Sequence, residues 1–178
     1  VVGEAARRPA DAAAALARAQ AAGVAIETGL LAHTQADLNI DALLGMGLAR
    51  TAQGELAAAI LQLNGLPAPR LAIDLPSGLS ADTSHVVGHA VQASMTVTLA
   101  SPKIPLVLPP AEDHAGDVVI ADIGIPPAII EALPGRYIEL VTPEQLRLFI
   151  QPRAVVSHKG DYGRLTIVAG SPGKTGAA

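Results

Sequence analysis

Two aspartates stand where a parallel sheet would put its chemistry. Asp74 closes the apolar run Leu71-Ala72-Ile73 and opens a Leu75-Pro76-Ser77-Gly78 corner. Asp41 sits in Ile40-Asp41-Ala42-Leu43-Leu44, which runs into Gly45-Met46-Gly47-Leu48. Both stretches read as strand, carboxylate, tight turn. In an open parallel α/β sheet, polar residues just past the carboxyl ends of strands line the ligand crevice, because the connections part there. Two neighbouring carboxylates repel, so keeping both ionised calls for a bound cation or a raised pKa. Ser77 adds a hydroxyl within a turn of Asp74. Carboxylate, hydroxyl and carbonyl oxygens are hard ligands, suited to an alkali or alkaline-earth ion rather than to zinc. The plainer reading of either aspartate is a cap on the turn that follows it.

Two glycine-bearing loops could present backbone amides to phosphate. Gly45-Met46-Gly47 is part of a dinucleotide fingerprint, but Arg50 stands where its third glycine belongs, and on spacing alone a strand-to-loop turn is the simpler account. Gly173-Lys174-Thr175 invites a P-loop reading that fails, because the required first glycine would occupy position 168, which is Val168. Gly170, Gly173 and Gly176 still allow either a ligand loop or a tight turn. The five histidines, His33, His85, His89, His114 and His158, show no metal-ligand spacing and read as surface or loop residues.

Stepping outward to the elements that must hold these residues, the chain has 178 residues, half of them hydrophobic but only 2% aromatic. Its core must therefore come from Ala, Val, Leu and Ile. A net charge of −4 without basic stripe or acidic tail gives no argument for nucleic acid or an anionic membrane as partner. The absence of cysteine removes disulfides, thiolate metal sites and Cys nucleophiles, and suits a reducing, cytoplasmic setting. No apolar run approaches the roughly 20 residues that cross a bilayer.

Propensity and periodicity predict a helix over 9–22, strands over 24–27 and 37–44, a helix over 55–63 and a strand over 71–74. Such alternation is what a parallel sheet with crossover helices requires. Strands are then expected over 94–99, 103–108 and 117–123, and a short helix over 126–132. A domain boundary is placed near Gly135, dividing the chain into 1–135 and 136–178. Beyond it a strand over 137–141, a helix to residue 149 opened by Thr142 as N-cap and Pro143, and a strand over 165–169 are expected. The opening Val1-Val2-Gly3 reads as the end of a strand and the last residues as a loop, so the chain is expected to be an internal fragment.

Several stretches taken in order resemble the YjeF amino-terminal family: Ile40 to Leu48, Ile73 to Gly78, Thr96-Val97-Thr98 with Pro102-Lys103, and Gly116 to Pro126. That family is the NAD(P)H-hydrate epimerase, which interconverts the R and S forms of hydrated NADH and NADPH. The resemblance runs to about Pro134. The remainder, with His158-Lys159-Gly160-Asp161-Tyr162-Gly163, Ile167 to Ser171 and Gly176-Ala177-Ala178, is similar to the opening of the ADP- or ATP-dependent NAD(P)H-hydrate dehydratase, a ribokinase-like enzyme.

The resemblance implies a Rossmann-like three-layer α/β fold followed by the truncated start of a ribokinase-like α/β domain. It implies Asp41 and Ser77 as K+ ligands and Asp74 as the residue that contacts the nucleotide and gives and takes a proton. Gly45, Met46, Gly47, Leu48, Ala49, Arg50 and Thr51 would form the loop on its phosphates, and Ala177 a further substrate contact. The hydroxyl would leave the ring with help from the ring nitrogen and return on the other face. ADP or ATP with Mg2+ would serve the dehydratase, and a homo-oligomer is compatible. Met46 replaces the family's usual threonine, Ser80 and Ser84 replace its usual Asp and Gly, and its Gly-Asn-Asn-Gly-Gly-Asp loop would lie before Val1. Alone, the fragment is expected to be inactive. The competing class is a non-catalytic module that kept the fold, against which stand Asp41, Asp74 and Ser77.

Overall fold

The computed structural model describes residues 9–27, 36–46, 48, 51–86, 88–134, 138–147, 149–150, 152–164, 166–170, 172 and 176. The chain divides into two compact units, Val1–Ala132 and Leu133–Ala178.

The first unit is built on four parallel strands in the order β1 (Asn39–Asp41), β2 (Arg70–Ile73), β3 (Met95–Leu99) and β4 (Asp117–Ala121). It is an α/β fold, as expected. Helix α1 (Ala10–Ala21) is formed by alanine propensity and buries no residue. Helix α2 (Gly54–Gly65) makes the β1-to-β2 crossover. Its Ala59, Ile60 and Leu63 recur at helical spacing and are buried. Ile60 and Leu63 pack with Ala52 and Val91, and Leu43, Leu44, Leu56 and Leu66 close around them. Fully burying one such side chain is worth about 1.5–3 kcal/mol.

The later crossovers do without long helices. Residues 74–94 join β2 to β3, burying Leu79 against Ala90 and Ala111, while Leu75 packs with Leu106 and Ala115. Side chains at the helix-to-strand junctions hold these loops. Asn64 donates to the Ala90 carbonyl (2.9 Å) and accepts from the Gln92 amide (2.8 Å), and the Arg70 guanidinium donates to the carbonyls of Gln92 and Leu66. Two glycines are required by crowding: a Cβ on Gly78 would lie 2.2 Å from the His89 carbonyl oxygen, and one on Gly116 2.3 Å from that of Ser94.

Three expected strands of this unit are corrected. Residues 24–27 form none; the Val24 amide instead bonds the Ala19 carbonyl as the chain leaves α1. The strand expected over 37–44 keeps only Asn39–Asp41, because pairing with β2 ends at the Asp41–Ala72 register. Residues 103–108 hold a 3-10 turn, Ile104–Leu106: a parallel β3-to-β4 connection must cross back over the sheet, and Pro105 cannot donate to a ladder. The helix expected over 126–132 is present as α3 (Pro127–Glu131).

In the second unit the described residues of 137–141 and 165–169 form no strand, since no partner strand is described there. Helix α4 (Pro143–Arg147) is short, and the Thr142 hydroxyl accepts from the Gln145 amide (3.4 Å) while the Gln145 side chain accepts from the Thr142 amide (2.9 Å). That reciprocal pair is a capping box. No helix among the described residues is long and apolar enough to cross a membrane.

Candidate functional site

Asp41 ends β1 and Asp74 immediately follows β2, its neighbour in the sheet. Both carboxylates therefore belong to the carboxyl-terminal edge, where parallel sheets open their crevice. Their surroundings differ sharply.

Asp41 is fully buried, and Ser77 nearly so. The Ser77 amide donates to Oδ2 at 2.7 Å, the Ser77 hydroxyl to Oδ1 at 2.6 Å, and the Leu43 amide to Oδ1 at 3.3 Å. Ser77 Oγ accepts the Leu44 amide at 2.9 Å and lies 3.3 Å from the Leu44 carbonyl oxygen. The bond to Leu43 is the turn cap that the plainer reading foresaw. The two bonds from Ser77, 36 residues away, make the corner after β2 a lid on the end of β1. A carboxylate offers about four lone-pair sites, of which three are used. No cationic side chain among the described residues pairs with Asp41. A buried charge without a counter-charge is costly. An all-oxygen set of carboxylate, hydroxyl and carbonyl is what a hard cation takes, so the residues present fit one. Among the described residues no cluster of three or more His, Cys, Asp or Glu side chains forms a metal site.

Asp74 has its counter-charge within the fold. Its Oδ1 accepts the Lys103 ammonium in an ion pair, the Leu99 amide at 3.1 Å and the Thr98 hydroxyl at 3.3 Å. Lys103 Nζ also donates to Thr98 Oγ1 (3.0 Å) and to the Leu99 carbonyl (2.8 Å). Partial burial pushes the Asp74 carboxyl up. The Lys103 hydrogen bond, the Leu99 amide, the Lys103 charge and the Thr98 hydroxyl outweigh it, and hold the group below its ordinary value. Of the two outcomes open to neighbouring carboxylates, a bound cation or a raised pKa, the second does not occur at Asp74, because Lys103 pairs with it. The backbone at Asp74 is left-handed, with φ 70°, and so is Ala100 with φ 64°. Non-glycine residues held this way cost roughly 1–3 kcal/mol each and persist where the surroundings impose them.

Of the expected phosphate loop, Gly45 and Met46 are exposed, and Leu48 and Thr51 are half-buried. Gly47, Ala49 and Arg50 lie outside the described residues, as does Ala177. Gly88, with φ 88°, passes so close to Thr51 that a Cβ would fall 2.3 Å from its methyl. Lys103 and Thr98 lie in a stretch that carries the family resemblance, but their spacing does not mark them as site residues. A lone lysine after a strand is a weak signal, and its partner lies 29 residues away.

Fold and site together define an open parallel α/β domain with two aspartates at the carboxyl-terminal edge of its sheet. A family model described as YjeF-related protein N-terminus matches residues 1–104, and the chain belongs to that family. Among curated proteins it is similar to the bifunctional NAD(P)H-hydrate repair enzyme Nnr of Moorella thermoacetica, with 42% identity over 83% of this chain and 28% of the relative. The Escherichia coli protein of the same description is 37% identical over 79% of this chain and 27% of its own length, and that of Pyrobaculum aerophilum 39% over 80% and 27%. The chain thus spans little more than a quarter of these relatives.

Proposed function

We propose that this chain contributes the epimerase part of a nicotinamide nucleotide repair enzyme, interconverting R- and S-NAD(P)H hydrate. The observation that carries the reading is the Asp74 carboxylate after β2: among the described residues it is tethered through Oδ1 alone, at the same sheet edge as the buried Asp41–Ser77 oxygen cluster. Similarity to relatives described as NAD(P)H-hydrate repair enzymes supports the substrate class.

The substrate carbon bears a hydroxyl and adjoins the ring nitrogen. Because Asp74 is held below the ordinary carboxylate range, it is ionised near neutrality and begins the reaction as a proton acceptor. Asp74 takes the hydroxyl proton, and the oxygen's electron pair forms a carbonyl. The carbon–nitrogen bond breaks, its pair passing to the ring nitrogen, which takes a proton from solvent. Rotation and reclosure on the other face, with both protons returned, invert the carbon. Positioned proton transfer of this kind contributes about 10²- to 10⁴-fold in rate.

Asp41 and Ser77, with the Leu44 carbonyl, would hold K+, which supplies a fixed positive charge beside the nucleotide and neutralises Asp41. The loop from Gly45 to Thr51 would receive the phosphates. Dehydration of the S form, with ADP or ATP and Mg2+, would fall to a ribokinase-like domain that residues 136–178 begin, Ala177 among its substrate contacts. The test is Asp74→Asn in an enzyme of the relatives' full length. Asparagine tolerates the left-handed backbone, so the fold is expected to survive while epimerisation falls by about 10²-fold or more. Parental rates of interconversion, read by separation of the two epimers, would refute the role.

A further inference from the structure

The Lys103 ammonium has three hydrogens and three acceptors: Asp74 Oδ1, Thr98 Oγ1 and the Leu99 carbonyl. It therefore keeps no proton directed at a substrate. Lys103 and Asp74 have side chains only 12% and 13% exposed, so the pair is shielded and screened little by salt. Among the described residues every hydrogen bond to the Asp74 side chain falls on Oδ1. Among the described residues Oδ2 accepts none, yet the one buried side-chain nitrogen or oxygen left without a partner is His114 Nδ1, so Oδ2 is open to solvent. The two oxygens of one carboxylate are thus divided, one fastened and one free.

The backbone enforces the same division. Left-handed turns at Asp74 and Ala100 end the neighbouring strands β2 and β3, and the Asp74 amide still bonds the Val97 carbonyl at 2.8 Å. The carboxylate consequently folds back over the end of β3, where Thr98, Leu99 and Lys103 meet it. Among the described residues the ionisable groups at the ends of the four strands, besides Asp74, are Lys103, which touches it, Asp41, which is enclosed by Ser77, and Asp122, which follows β4 and accepts the Gly124 amide.

We propose that Lys103, assisted by Thr98, is the positioning residue of the reaction: it fastens Oδ1 so that Oδ2 of Asp74 is the oxygen that exchanges the proton. The proposal rests on the epimerase reading. It assigns work to a residue that touches no reacting atom, and it explains why a strained backbone is kept at the strand end.

The experiment compares Lys103→Met and Lys103→Arg with the parent in the full-length enzyme. The expected result for Lys103→Met is a kcat lowered by about tenfold or more with KM within about twofold, since only the proton-transfer geometry is disturbed. Lys103→Arg should recover part of the loss. Carbon-13 NMR of the aspartate carboxyls, which needs no substrate, should show the Asp74 midpoint rising toward the ordinary carboxylate range in Lys103→Met. Should that variant fail to fold, Lys103→Gln, which keeps a donor but no charge, carries the same expectations. An unchanged kcat, or an Asp74 midpoint that does not move, overturns the proposal. A parent that folds but does not interconvert the epimers overturns the proposed function alone, and the NMR titration still decides whether Lys103 holds Asp74.

Discussion

Asp41, the last residue of β1, and Asp74, the first after β2, are the same residue type at one sheet edge, and their neighbours give them different surroundings. Asp41 is buried and bound by Ser77, whereas Asp74 is paired with Lys103 and keeps one oxygen open. Ionisation of Asp74 bears on two routes for the proposed epimerisation. If the hydroxyl left the ring, the inverted product formed in 18O-water would carry the label. If Asp74 removes the proton and the ring opens, the carbon–oxygen bond is never broken, and the expected outcome by mass spectrometry is early product without label. The Asp74 shift also fixes an acid dependence. Its folded pKa lies below the ordinary carboxylate value, so its stabilising contribution is complete above the unfolded pKa and is lost as pH falls through the lowered folded value. The stability gap between parent and Asp74→Asn should accordingly be widest above about pH 4 and close in stronger acid. Urea unfolding at neutral and acid pH reads this directly, and a gap independent of pH would contradict it.

At the scale of elements, the sheet is joined by loops whose glycines are not equivalent. Gly116 has φ 60° and meets the Ser94 backbone, while at Gly45 a Cβ would meet nothing within 4 Å and φ is not positive. Gly116 brings the starts of β3 and β4 together, with the Asp117 amide on the Ser94 carbonyl at 3.1 Å. Gly116→Ala is expected to cost about 3 kcal/mol, because both backbone and neighbour must shift. Gly45→Ala should stay within about 0.5 kcal/mol. Equal losses in denaturant unfolding would show that φ and crowding do not control these turns. A substrate-affinity loss in Gly45→Ala, without a stability loss, is the pattern expected of a phosphate loop.

At the scale of the whole chain, the two units differ in what they bury. Unit Val1–Ala132 contains the buried clusters around Ile60, Leu75 and Leu79, whereas in Leu133–Ala178 every described residue except Thr142 is exposed. Phe149, Val155, Val156 and Val168 are among them. Ordering backbone costs about 1–2 kcal/mol per residue, and exposed side chains do not offset it. Limited proteolysis of this 178-residue chain should therefore cut first between residues 135 and 163 and spare the β1–β4 sheet. Protection of residues 135–163 equal to that of β2 would place the boundary elsewhere.

What the sequence alone determined was local or periodic. Helix α2 follows from apolar residues at helical spacing, β2 and β3 from apolar and alternating runs, and the candidate aspartates from carboxylates that end such runs before turn residues. Those signals lie within a few residues of one another, so no fold is needed to see them. Tertiary structure decided which oxygen meets which donor. Ser77 reaches Asp41 across 36 residues and Lys103 reaches Asp74 across 29, so these partnerships depend on strand order and on how each crossover returns. The stretch 103–108 has a strand's apolarity but became a turn, because parallel β3 and β4 can be joined only by chain that leaves the sheet. The same geometry delivers Lys103 to the Asp74 carboxylate and holds its pKa below the ordinary value.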